Sequence, residues 1–141
     1  MGIGFGYVCK KCGTHKNLFY GIGFLGYKEY YIDNNYKELI DLGEKDNLRN
    51  LERLLKFINL KNVDLKEGFG FDEYVCTKCK CIDSKFRYVL SAGKKRFYPK
   101  YSCKYCNGSL KQKKIDDEYK LKCDECGSED FENKRFMINW D

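Results

Sequence analysis

The chain has 141 residues, nine of them cysteine, and carries 27 Lys and Arg against 21 Asp and Glu, a formal charge of +6. That length suits one ordinary domain or two very small modules, and excludes a Rossmann domain joined to a substrate domain. The longest uncharged runs, 1–9 and 17–27, fall well short of the roughly 20 residues of a membrane span, and no basic segment precedes the first, so a soluble, unexported, cytoplasmic protein without membrane contact is expected.

Residues 2–7 read GIGFGY and residues 21–26 read GIGFLG, the second with the G-x-G-x-x-G spelling of a dinucleotide-binding loop. Such a loop must open a helix. Gly26 is succeeded by Tyr27-Lys28-Glu29-Tyr30-Tyr31-Ile32, whose aromatic and β-branched residues suit an extended segment, so no dinucleotide cofactor is expected. The two copies and a third fragment, Gly68-Phe69-Gly70-Phe71, read instead as adjacent strands. Glycines on one face would allow close approach, while Phe5, Phe24 and Phe71 form a miniature core on the other.

From Asn35 to Lys61 the composition turns leucine-rich and glycine-poor. Leu48, Leu51, Leu54, Leu55 and Ile58 fall on one helical stripe with Asp46 as its expected N-cap, and a shorter helix is predicted over Tyr36–Leu42, ended by Gly43. This insert, at about 34–62, is expected to cover the aromatic strands; the sharper alternative is a docking surface for another protein.

Eight of the nine cysteines form C-x-x-C pairs: Cys9/Cys12, Cys76/Cys79, Cys103/Cys106 and Cys123/Cys126. In a reducing compartment this arrangement favours metal over disulfides, because two intervening residues let one turn aim both sulfurs at a single ion and two such turns complete a tetrahedral site. Gly13, Gly108 and Gly127 come soon after three of the pairs and suit the left-handed backbone of such turns. Sixteen residues separate Cys106 from Cys123, a zinc-ribbon spacing that predicts a hairpin with strands at 109–114 and 119–122. By elimination Cys9, Cys12, Cys76 and Cys79 form site 1, with Cys103, Cys106, Cys123 and Cys126 as site 2; the shared flank Tyr-Val-Cys at 7–9 and 74–76 supports the first grouping. The other pairing, Cys76/Cys79 with Cys103/Cys106 and the outer pairs together, stays open. Cys81 and His15 stand close enough to a knuckle to substitute as ligands, although a spare thiol and a surface histidine are the simpler assignments.

These residues resemble a zinc-ribbon protein with two four-cysteine ribbons, and the opening GIGFGYVCKKCG with a later GIGF segment is similar to small uncharacterised zinc-ribbon proteins of bacteria. The resemblance implies a fold and two Zn2+ ions and supplies no activity. Combined with the helical insert it gives an expected α+β fold, stabilised by metal, with an N-terminal unit over 1–92 and a C-terminal ribbon over 93–141. Zinc is preferred to iron because no pair carries the proline of the rubredoxin knuckle C-P-x-C-G.

Four paired knuckles saturate two ions and leave no open coordination position, and the H-x-E and P-C-x-x-C elements of zinc deaminases are missing. Binding is therefore expected rather than catalysis. Two four-thiolate zinc units, each of charge −2, reduce the formal charge from +6 to +2, so distribution matters more than the total. Residues 74–122 hold 14 basic and 4 acidic residues. Within them Phe86-Arg87-Tyr88, the run Lys94, Lys95, Arg96, Phe97, Tyr98 and the trio Lys111, Lys113, Lys114 interleave cations with rings, as single-stranded nucleic acid would require. The competing partner is a protein, met through the insert or through the acidic stretch Glu129–Glu132.

Overall fold

The computed structural model describes residues 2–21, 64–65, 70–87, 89–92, 94–132 and 136–140. Nine strands occur in chain order: β1 (Gly2–Val8), β2 (His15–Gly21), β3 (Asp64–Leu65), β4 (Gly70–Cys76), β5 (Ile82–Arg87), β6 (Leu90–Ala92), β7 (Lys95–Phe97), β8 (Leu110–Gln112) and β9 (Phe136–Trp140). The main sheet runs β5-β4-β2-β1-β9, with β8 added to β4, and a smaller sheet runs β3-β6-β7. Every strand pair is antiparallel.

The expected α+β class is thereby corrected: the described residues form antiparallel strands and contain no helix. The insert at about 34–62, on which the helical expectation rested, lies outside the described residues. Strand pairing organises the rest, as the period-two burial of β1 shows: Gly2, Gly4 and Gly6 are buried while Ile3 points to solvent.

Two hairpins of equal construction dominate. In the first, Val8 faces His15 across the turn, and in the second Val75 faces Ile82, so each turn spans six residues and begins with the first cysteine of a knuckle. The hairpins meet through one pairing, Gly21 with Phe71. Beyond it the Ser84 hydroxyl bridges the gap, accepting from the Phe19 amide at 2.7 Å and lying 3.2 Å from the Phe19 carbonyl. There Leu18, Val75 and Ile82 close into a buried cluster, with Tyr7, Tyr20 and Leu121 at its edge.

The first GIGF segment is β1, whose backbone is paired on one side to β2 and on the other to β9. Its amides serve these two ladders, and a phosphate would have to displace them. Phe5 packs edge-on against Tyr20 at 5.4 Å, and Phe71 against Phe86 at 5.1 Å and Phe19 at 6.2 Å, so the rings sort into pairs along the strands. Phe24 lies outside the described residues.

The expected ribbon hairpin over 109–122 is absent. Leu110–Gln112 pairs with β4, while Lys120 is bridged to Cys81 on the other side of the same knuckle, its amide donating to the Lys80 carbonyl at 2.8 Å and its carbonyl accepting from Ile82 at 3.0 Å. The two arms thus straddle the β4–β5 turn and carry the third and fourth knuckles apart. The sheet also runs across the expected 92/93 division, since β1 pairs with β9 and β4 with β8.

Candidate metal centre

All four C-x-x-C segments fold into one local structure. The first cysteine donates its amide to the carbonyl five residues on: Cys9 to Thr14 at 2.9 Å, Cys76 to Cys81 at 3.0 Å, Cys103 to Gly108 at 2.7 Å and Cys123 to Ser128 at 2.8 Å. Its carbonyl then accepts from the residue four on: Gly13 at 2.8 Å, Lys80 at 3.1 Å, Asn107 at 2.8 Å and Gly127 at 3.0 Å. Those four donor residues all have left-handed backbone, with φ of 73°, 62°, 55° and 71°. Gly108, expected to supply that geometry in the third knuckle, does another job. A Cβ there would lie 3.0 Å from Cys76 Sγ and Lys78 Cβ and 3.3 Å from Cys106 Sγ, so glycine lets the second and third knuckles close on one another.

The knuckles combine as outer with outer and inner with inner. Cys9, Cys12, Cys123 and Cys126 form one group, and Cys76, Cys79, Cys103 and Cys106 the other, with all sulfurs of a group within 4.8 Å of one another. This corrects the expected sites 1 and 2 and selects the pairing that the sequence had left open. The reason lies in the straddling arms of 109–122, which put the second knuckle between the third and the fourth. Backbone bonds fix both unions. Lys10 donates to the Asp130 carbonyl at 3.0 Å and Glu132 to Val8 at 2.9 Å, while Thr77 donates to Ser109 at 3.0 Å.

Sulfurs from different knuckles approach to 3.6 Å (Cys9–Cys126), 3.5 Å (Cys12–Cys123), 3.4 Å (Cys76–Cys106) and 3.6 Å (Cys79–Cys103). A disulfide would require about 2.05 Å. Four sulfurs about 2.3 Å from a central zinc are separated by about 3.8 Å, close to the observed spacing. The donor set is all sulfur, which suits a thiophilic cation.

The turn backbone favours thiolate. Amides of Lys78 and Cys79 lie 3.4 and 3.5 Å from Cys76 Sγ; burial works against ionisation there, yet these donors leave the thiol lowered to about 7. The hydroxyl and amide of Thr14 bring Cys12 down to about 6. Burial instead dominates at Cys79 and Cys103, both raised to about 11. At Cys126 the Ser128 amide favours the thiolate, but burial and the hydrogen bonds shared with Cys12, Cys9 and Cys123 hold it up to about 12. Each group thus keeps part of its protons, which a bound cation would have to displace.

Cys81 is buried beside Cys76 and Cys103, and exposed His15 opens β2; neither belongs to a four-sulfur group. A feature that sequence reading missed joins the groups: Lys16, only 4% exposed, ends its side chain between Tyr105 of the third knuckle and Asp124 of the fourth. The signal was faint, a lysine in a strand among Leu18, Phe19 and Tyr20.

The expected basic–aromatic surface is only partly in the open. Lys111 pairs with Asp117 at 2.6 Å and Lys113 with Glu73 at 3.2 Å, Lys113 also lying over the Tyr119 ring. Lys94, Arg96, Tyr98 and Lys114 are exposed, and Lys95 and Phe97 belong to β7. The acidic stretch Glu129–Glu132 lies beside the first knuckle, where Asp130 meets Lys10 at 3.0 Å. Comparison with protein-family models, with curated proteins and with solved structures finds no match.

Proposed function

We propose that the chain is a zinc protein of non-enzymatic, binding type, with Cys9, Cys12, Cys123 and Cys126 holding one Zn2+ and Cys76, Cys79, Cys103 and Cys106 the other. The observation that carries this reading is the convergence of eight sulfurs, from four identically built turns, into two groups at near-tetrahedral spacing. Zinc bound by four thiolates supplies a structural cross-link and no open position for substrate. Elemental analysis of the natively purified, reduced chain should return two zincs per molecule. A red, iron-containing protein, or a metal-free one with oxidised thiols, overturns the assignment.

The surface such a scaffold would present for a partner is the β6–β7 hairpin with its C-terminal flank, where exposed Lys94, Arg96 and Tyr98 combine cations with a ring. Single-stranded nucleic acid fits that chemistry, phosphates meeting the cations and a base stacking on Tyr98. Binding of labelled single-stranded RNA and DNA should weaken steeply with salt and fall several-fold in the Lys94→Ala/Arg96→Ala variant. No binding at low ionic strength removes this part of the reading and leaves the zinc sites untouched.

A further inference from the structure

We propose that the two metal sites are filled cooperatively, because a polar network around the buried Lys16 locks the third knuckle, which belongs to one site, onto the fourth, which belongs to the other. The inference rests on the zinc reading above and adds a regulation to it. Lys104 and Tyr105 lie between Cys103 and Cys106, and Asp124 lies between Cys123 and Cys126. Lys104 Nζ is 2.9 Å from Asp124 Oδ2, and the Tyr105 hydroxyl meets Asp124 Oδ1 directly and reaches the Lys122 carbonyl at 2.8 Å. Lys16 from β2 completes the arrangement, its ammonium 3.2 Å from Asp124 Oδ1 and 3.3 Å from the Tyr105 oxygen. Lys16, Lys104 and Lys122 also surround the Tyr105 ring at 5.8, 5.4 and 5.1 Å.

A knuckle holds its shape only while its sulfurs are held, since its own hydrogen bonds close a single turn. Losing the ion from the inner site loosens 103–106 and withdraws Tyr105 and Lys104 from Asp124. The half-exposed Asp124 carboxylate then loses the Tyr105 hydroxyl and the Lys104 ammonium, and the buried Lys16 ammonium loses the Tyr105 oxygen and is left with Asp124 as its one remaining contact in the network. The outer site must restore that arrangement before it can bind, so it binds more weakly when its neighbour is empty; linkage makes the effect reciprocal. Coupling of this kind typically amounts to roughly 5- to 150-fold in affinity.

The test is a Co2+ titration of the full, reduced, metal-free chain monitored by native mass spectrometry. At one cobalt per chain the wild type should consist mainly of empty and doubly loaded molecules. Tyr105→Phe keeps the ring and removes the hydroxyl, and its singly loaded fraction should rise clearly above the wild-type value, toward the half expected of independent sites, the Lys104–Asp124 contact remaining. Equal singly loaded fractions in the two proteins overturn the proposal while leaving both sites in place; failure of the wild type to take up cobalt at all sinks the zinc reading beneath it. A second comparison does not depend on how Tyr105→Phe folds. Cys9→Ser/Cys126→Ser abolishes the outer site, and cobalt should then bind the inner site several-fold more weakly than in the wild type. Unchanged inner-site affinity also overturns the coupling.

Discussion

At the scale of single residues, the four turns differ in how comfortably they reach the left-handed backbone they all need. Gly13 and Gly127 adopt it freely, Asn107 tolerates it, and Lys80, with φ of 62°, carries a side chain there at a cost of about 1–2 kcal/mol. The Lys80 side chain is exposed, and its backbone bonds to Cys76 and Lys120 survive substitution. Lys80→Gly should therefore stabilise the zinc-loaded protein by up to about 1 kcal/mol in denaturant unfolding, part of the relief being returned as extra freedom of the unfolded chain. Gly13→Ala should cost about 1–2 kcal/mol through strain alone, because nothing lies within 4 Å of the added methyl. Gly108→Ala has no forbidden backbone and destabilises by a different route, pushing a methyl onto Cys76 Sγ and the Lys78 stem at 3.0 Å for about 1–3 kcal/mol. A cobalt-loaded protein separates the two: Gly108→Ala should alter the ligand-field spectrum of the inner site, and Gly13→Ala should leave it as in the wild type.

At the scale of elements, the chain is two hairpins with knuckles at their tips, β1–β2 and β4–β5, each met by a later knuckle whose outgoing strand docks on the hairpin: Phe131 opposite Cys9, Leu110 opposite Cys76. This explains what the sequence showed and what it hid. The eight candidate ligands were legible because C-x-x-C is a local device, complete within one turn. Their pairing was hidden because it depends on where 109–122 runs, and that is settled by the free edge of β4 and by the Lys120 bridge at Cys81, neither of which has a spacing signature. The repeated Tyr-Val-Cys flank marks Cys9 and Cys76 as the same part in two sites, since each opens the six-residue turn of a hairpin, and equivalent parts need not be partners. The network of Lys16, Tyr105 and Asp124 was equally out of reach, its members coming from three separated stretches. Paired substitutions measure the pairing directly. Cys9→Ser/Cys126→Ser should leave a protein with one zinc by native mass spectrometry. Cys9→Ser/Cys76→Ser damages both groups and should leave no four-sulfur site. The reverse result would restore the grouping of first with second knuckle.

At the scale of the whole molecule, the described core is small, and five of its twelve buried apolar residues are cysteines. One buried cluster joins Cys9 and Cys123 to Phe131 and another is Cys76, Cys81 and Cys103, while Leu18, Val75 and Ile82, and the aromatic residues Tyr74, Phe86 and Tyr101, are buried without cysteine. The three aliphatic side chains contribute about 5–9 kcal/mol of burial and the buried aromatics a comparable amount, against an apparent ~10–16 kcal/mol for each structural zinc in a finger peptide at neutral pH. Stability should therefore track metal occupancy, and occupancy should track pH. Near neutrality the metal-free chain keeps Cys126 protonated in the outer group, at about 12, and Cys79 and Cys103 in the inner group, at about 11. Zinc uptake must expel at least one proton from the first and two from the second, so acid competes with metal and apparent affinity rises with pH. Each unit of acidification should weaken zinc binding at least about tenfold at the outer site and about a hundredfold at the inner one. In the loaded protein the sign is that of a depressed thiol: stability is fully present above the ordinary thiol range and is lost as pH falls through the metal-bound values. Competition against a chromogenic chelator at about pH 6.5 and 7.5, run on Cys9→Ser/Cys126→Ser to isolate the inner site and on Cys76→Ser/Cys106→Ser to isolate the outer, gives the two slopes. An inner-site affinity that does not change across that interval would mean its thiols are already ionised without metal, contrary to the burial that holds Cys79 and Cys103 up.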